Sequence, residues 1–156
     1  MDVVWTWAAV GALVLVTSIG GLLWRRRQGR VVSDRAVHRV SAGDLTVDSA
    51  SPALLGTDVT LVQFSTEFCG QCPATRRLLS GLANDEPHSA IRHIDIDLTH
   101  RPDLATKYRV LQTPTTLVLD GEGRVRARIG GPPRRPELVD LLERIQKENH
   151  DRAVSR

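Results

Sequence analysis

Cys69-Gly70-Gln71-Cys72 holds the only two cysteines of this 156-residue chain. Two thiols so close in sequence are suited to closing and opening a disulfide with each other, and none is left over for a framework of structural bridges. They are too few for a four-cysteine zinc site, and His88, His93 and His100 match no zinc-ligand spacing, so no metal is expected. Disulfide exchange needs one thiolate to attack a sulfur and a second thiol to release the mixed disulfide. The flanking sequence favours that chemistry. The apolar run Val59-Thr60-Leu61-Val62-Gln63-Phe64 comes before the pair, and a helix-like stretch follows from Pro73. This order aims Cys69 at the start of a helix, where unpaired N–H groups and the positive dipole end stabilise a thiolate.

Those flanking segments belong to a longer pattern. Val59 to Ser65 has the length and composition of a buried strand. From Pro73 to Ala83, Leu78, Leu79 and Leu82 fall at helical spacing, with Pro73 in the first turn, where a missing N–H costs little. Ala90 to Asp97 reads as a second strand and Pro102 to Tyr108 as a short helix. Thr115 to Leu119 and Val125 to Ile129 are strands joined through Asp120-Gly121-Glu122-Gly123, a hairpin signal. Gly130-Gly131-Pro132-Pro133 breaks the chain. Beyond Pro136, Leu138, Leu141, Leu142 and Ile145 form one apolar helical stripe, and the polar residues after Glu148 are expected to fray. Leu45-Thr46-Val47 is a candidate edge strand. The order strand, helix, strand, helix, hairpin, helix describes an α/β sandwich with a mixed sheet. Its first two strands should be parallel, because a helix joins them.

The N-terminal part differs in kind. Val3 to Trp24 carries no charge. As a helix it would be about 33 Å long at about 1.5 Å per residue, enough for a hydrocarbon core of about 30 Å. Trp5, Trp7 and Trp24 lie near its ends, where amphipathic rings prefer the interface. It opens on Asp2 and ends in Leu22-Leu23-Trp24-Arg25, with neither the basic start nor the small-residue cleavage site of a secretory signal, so an uncleaved anchor is expected. Arg25, Arg26, Arg27 and Arg30 follow the span and none precedes it, which puts the C-terminal part in the cytoplasm. Thr17 and Gly21 form a small-xxx-small pair of the kind that supports helix pairing. The net charge of +3 arises largely from arginines crowded between 25 and 39. With no aromatic residues among them and an apolar span beside them, these arginines fit membrane electrostatics, and no nucleic-acid partner is expected.

With the pair at the first strand–helix junction, this element order resembles the thioredoxin family over about residues 55 to 147. Three segments carry the likeness: Phe68-Cys69-Gly70-Gln71-Cys72, Lys107-Tyr108-Arg109-Val110-Leu111-Gln112-Thr113-Pro114-Thr115, and Gly130 after the hairpin. The resemblance implies a thioredoxin-like three-layer sandwich with a central mixed sheet, preceded by one transmembrane helix. The divisions are an anchor at 1–24, a basic linker at 25–50, the thioredoxin-like domain at 51–148 and a polar tail at 149–156. It implies that Cys69 is the attacking thiolate and Cys72 the buried resolving thiol. Pro114 is then cis and faces the pair, and Thr113 offers its backbone to an extended substrate, with Phe68, Gly70 and Gln71 lining the same surface. No cofactor is implied beyond the Cys69–Cys72 dithiol itself. The partners would be protein disulfides or thiols and a reductase or thiol donor that restores the dithiol.

The sequence departs from the family in places that bear on the chemistry. Gln63 stands where the family often has a buried acid that takes the proton of the resolving thiol, and an amide cannot do so. His93 aligns with a lysine beside that acid and is a candidate proton shuttle, or else a strand histidine satisfied by a hydrogen bond. Gln71 replaces a proline and Ser65 a tryptophan. Arg76 and Arg77, one turn beyond Cys72, form a solvated helix face, or favour the Cys69 thiolate or an acidic partner. The leading expectation is a membrane-tethered reductase of protein disulfides. The alternatives are an extracytoplasmic oxidant or isomerase and a docking module that does no exchange.

Overall fold

The computed structural model describes residues 2–32, 39–45, 55–85 and 90–154. Val59–Ser65 (β2) is the hub of the sheet, and all seven of its residues are buried. It pairs in parallel with Ile91–Asp97 (β3) and antiparallel with Thr115–Asp120 (β4), which makes a hairpin with Val125–Gly130 (β5). A strand covered on both faces can be apolar throughout, and this one nearly is. The two faces separate by the two-residue period of a strand. Val62, Phe64, Ile94, Ile96, Leu117 and Leu119 pack with Leu104 of the short helix Pro102–Lys107 (α3) and with Tyr108. Val59, Leu61, Ile91, Val118 and Ile129 face the other way. There they meet Leu79 and Leu82 of Cys72–Asn84 (α2) and Leu138, Leu142 and Ile145 of Arg135–Val154 (α4). The result is the expected three-layer sandwich around a mixed sheet.

Two expectations about the ends of this domain change. Of the candidate edge strand Leu45-Thr46-Val47, Leu45 closes a 3₁₀ turn at Ala42–Leu45, and Thr46 and Val47 lie outside the described residues. The edge is instead Val31–Val32 (β1), antiparallel to β5, so part of the basic linker belongs to the sheet. The sheet order is β1-β5-β4-β2-β3. The last helix does not fray at Glu148 but continues to Val154. Tertiary contacts hold that polar stretch: Arg126 pairs with Glu148, and Asn149 Nδ2 donates to the Asp58 carbonyl at 3.1 Å.

Asp2–Arg27 (α1) is a single helix. Trp5–Leu23 within it is long and apolar enough to cross a membrane, with mean hydropathy 1.9 and none of it buried against the protein. Thr17 spends its hydroxyl on the Leu13 and Val14 carbonyls of its own helix, at 2.9 and 3.0 Å.

The 3₁₀ turn is latched to the end of α3 by Asp44. Lys107 Nζ donates to both carboxylate oxygens, at 2.8 and 2.7 Å, and the Tyr108 hydroxyl donates to Oδ2. Burial pushes the Asp44 carboxyl up, but the bonds from Lys107 and Tyr108 outweigh it and hold the group below the usual carboxylate value. A lowered folded-state value means stability that is present above the ordinary carboxylate range and lost as the pH falls through the folded value. Asp44→Asn is therefore expected to lower the melting temperature at neutral pH. The gap to the unsubstituted chain should close below about pH 4. Thermal melts across pH check this, and a gap constant with pH would count against the latch.

Candidate active site

The end of β2 and the start of α2 place the two sulfurs differently. Cys69 follows a turn in which its N–H bonds the Thr66 carbonyl at 3.2 Å, and Cys72 opens the helix with its N–H on the Cys69 carbonyl, also at 3.2 Å. The two are joined as a disulfide. Cys69 is partly exposed, whereas Cys72 is 2% exposed beneath the helix. Gln71 at the helix start makes no side-chain cap, and the positive dipole end of α2 lies next to Cys69.

Strand pairing brings the second loop to the pair. Phe64 is registered with Thr115, which puts the segment before β4 beside the segment after β2. The Thr113–Pro114 bond is cis, as expected. Pro114 is buried, and its carbonyl accepts from the Gly131 N–H at 2.8 Å. The hydroxyls of Thr66 and Thr113 share a hydrogen bond of 3.3 Å that ties the two loops together. Gly130 is packed against Gln112, whose Nε2 a Cβ would meet at 2.6 Å. Phe68 and Leu111 stand on these loops, 91% and 95% exposed. Gly70 has open space where a side chain would project, and Gln71 is exposed, so nothing crowds the approach to Cys69.

Beneath the pair, Gln63 is fully buried and its Nε2 donates to the Cys72 carbonyl at 3.1 Å, while its Oε1 has no partner among the described residues. His93 shares a hydrogen bond of 2.9 Å with the Ser80 hydroxyl through Nδ1, and its Nε2 is buried without a partner among the described residues. It is registered with Leu61, one step along the strand from Gln63. Burial is the main influence on its pKa and lowers it; Asp95 raises it and Arg76 lowers it further. His100 lies against Glu67 at 3.4 Å, and His88 falls outside the described residues.

Two features were not anticipated from sequence. Leu111 gave no signal, being an apolar residue without a periodic partner. Arg76 is not simply part of a solvated face: it forms an ion pair with Asp95 on β3. Alternation along β3 puts His93, Asp95 and Asp97 on one face, but only the register shows that Asp95 lies opposite Gln63.

Comparison with known proteins agrees with this geometry. The family model described as Thioredoxin matches residues 46–144. A thioredoxin from Chlamydia trachomatis is 33% identical over 92 residues, covering 59% of this chain and 87% of the relative. A solved variant of thioredoxin from Halobacterium salinarum superposes with a TM-score of 0.51 at 26% identity, over 58% of this chain and 76% of that one. Thioredoxin-2 of a malaria parasite superposes at 0.52 with 21% identity, over 61% and 89%, and supports the fold. The matched segment contains the Cys69–Cys72 pair and the cis-proline loop, and the chain belongs to the thioredoxin family as a thiol–disulfide oxidoreductase.

Proposed function

We propose that this protein is tethered to a membrane and reduces protein disulfides there. Cys69 attacks the substrate disulfide and Cys72 releases the product. The observation that carries the assignment is the asymmetry of the pair: one sulfur is reachable at a helix start and the other is 2% exposed. Thr113 and Pro114 receive an extended substrate segment, and Phe68, Gly70, Gln71 and Leu111 form the contact surface around it. His93, kept neutral by burial, is a candidate to move a proton. A separate reductase or thiol donor restores the dithiol, and no further cofactor is required by this chemistry.

The tether supports a substrate at the membrane surface. Only Gln28, Gly29 and Arg30 separate α1 from β1. Three residues reach about 10 Å at most, and the Gly29 N–H is fixed to the Gly130 carbonyl at 2.8 Å. Gly29 has φ +74 and lies so close to Pro132 that a Cβ would meet its carbonyl oxygen at 2.3 Å. Val31 enters the sheet opposite Ile129, at the end where Gly130 pairs with Thr115 beside Pro114. At about 4.8 Å per strand, the three steps from β1 to β2 place the reactive end of the sheet on the order of 15 Å across from the tether. A membrane protein with a cysteine pair close to the bilayer surface suits that geometry.

The arginines that follow the apolar span, Arg25 to Arg27 and Arg30, favour the cytoplasmic side, where thiols are kept reduced. The test is the reduction potential of the full chain in detergent, combined with labelling of intact cells by a thiol reagent that cannot cross membranes. A potential near about −270 mV, with thiols protected in intact cells, is the expected result. A value near about −120 mV with labelled thiols would favour an exported oxidant instead. A pair that never equilibrates would favour the docking module.

A further inference from the structure

One row across the sheet lies directly under the start of α2. Asp95 of β3 and Thr116 of β4 are both registered with Gln63 of β2, so the three side chains share the face that α2 covers. Thr75 adds a hydroxyl from α2 itself, one turn beyond Cys72. Gln63, Thr75 and Thr116 are each at least 98% buried. Gln63 Oε1, Thr75 Oγ1, Thr116 Oγ1 and Asp95 Oδ1 are all buried atoms with no hydrogen-bond partner among the described residues. Buried polar atoms are seldom left so, and four in one row need an explanation. The amide of Gln63 is oriented by the Cys72 carbonyl, which accepts from its Nε2, and its Oε1 is buried with acceptor capacity left over.

We propose that Asp95, held by Arg76, accepts the proton of Cys72 through this row, standing in from the neighbouring strand for the carboxylate that position 63 lacks. The inference rests on the assignment of Cys72 as the resolving thiol. Cys72 Sγ–H gives up its proton, which passes along the threonine hydroxyls, each able to donate and accept, and ordered water bound between them, to the Asp95 carboxylate. The thiolate attacks Cys69 Sγ. The bond between Cys69 and the substrate sulfur breaks as the Cys69–Cys72 bond forms. The substrate leaves as a thiolate and takes up a proton. It is reduced by two electrons, and the dithiol is oxidised to the disulfide.

The charged groups around Asp95 are few. Arg76 comes from α2, and His93 and Asp97 lie on its own strand; β2 and β4 present Gln63 and Thr116, which carry no charge. Arg76 is more than half exposed, so the ion pair meets water on one side, while Asp95 Oδ1 is buried. Asp95 acts through other groups, so its role is to be read from the pH dependence of one step.

The experiment uses the full chain, reduced and in detergent, mixed rapidly with a symmetrical nitroaromatic disulfide. Attack by Cys69 releases one coloured thiolate and resolution by Cys72 releases the second, so the two steps are timed separately. Asp95→Asn is expected to lower the ratio of the second rate to the first by roughly tenfold to a hundredfold at pH 7, at or below the low end of what a positioned base contributes. The remaining rate should then rise tenfold per pH unit with the thiolate fraction of Cys72. Adding Gln63→Asp returns an acid to the same row and should restore the ratio. Should Asp95→Asn fail to fold, Arg76→Gln at the exposed end of the pair is expected to slow the second phase relative to the first, because the carboxylate loses the cation that holds it in place. An unchanged ratio and pH profile in these variants, or a loss seen only in His93→Gln, would overturn the proposal. If neither coloured phase appears in the unsubstituted chain, it is the assignment of the cysteine pair to exchange that fails.

Discussion

Cys69→Ser should abolish exchange with protein disulfides, by at least about a thousandfold, because a serine hydroxyl is no substitute for a thiolate nucleophile. Cys72→Ser should fail differently. Its Cys69 remains partly exposed at the start of α2 and still attacks, but nothing releases the adduct. The expected product is a stable mixed disulfide between Cys69 and the substrate, visible as a mass increase that a reductant removes. The basis is burial: a sulfur 2% exposed cannot meet a disulfide on another protein, whereas its neighbour can. Adducts accumulating on Cys72 in the Cys69→Ser chain would reverse the assignment. The same trapping variant, expressed in cells, identifies substrates directly. The proposed membrane tether, with three residues between α1 and β1, leads us to expect membrane proteins among them.

Phe64→Ala should be the most damaging substitution away from the sulfurs. Phe64 is fully buried in the central strand, with its ring 5.7 Å from that of Tyr108. Removing a buried phenylalanine side chain costs about 3–5 kcal/mol, from lost transfer energy and the cavity left behind. Set against a typical total stability of about 5–15 kcal/mol, that is a large share. At roughly 4–8 °C per kcal/mol, the melting temperature should fall by more than about 10 °C. The effect should reach the site, since Phe64 pairs with Thr115 next to Pro114 and its partner Tyr108 anchors the Asp44 latch. Phe64→Leu should cost much less, because it keeps most of the volume. A loss below about 1 kcal/mol for alanine would mean that the site collapses around the smaller residue and that the aromatic pair does not organise this layer.

Much of this was legible along the chain. The apolar run from Val59 to Phe64, the stripe of Leu138, Leu142 and Ile145, the hairpin around Gly121 and the spacing of Cys69 and Cys72 are local patterns, each written within one element or one turn. The relation of Thr113-Pro114 to the cysteines was also readable, through resemblance to a family whose loop has that form. Chain composition alone marked residues 3–24 as long and apolar enough to span a membrane.

What the sequence determined by itself is therefore the reactive pair, the order of the elements and the apolar N-terminal helix, because each depends on residues close together in the chain. Only the tertiary structure decided that Val31–Val32 and not Leu45 forms the edge of the sheet, that Asp44 latches onto Tyr108, that α4 continues to Val154, and that Asp95, Gln63 and Thr116 fall into one row under the start of α2. These depend on register and on which faces meet across distant segments. A shift of one residue in either strand would turn the whole row to the opposite face without altering any local pattern.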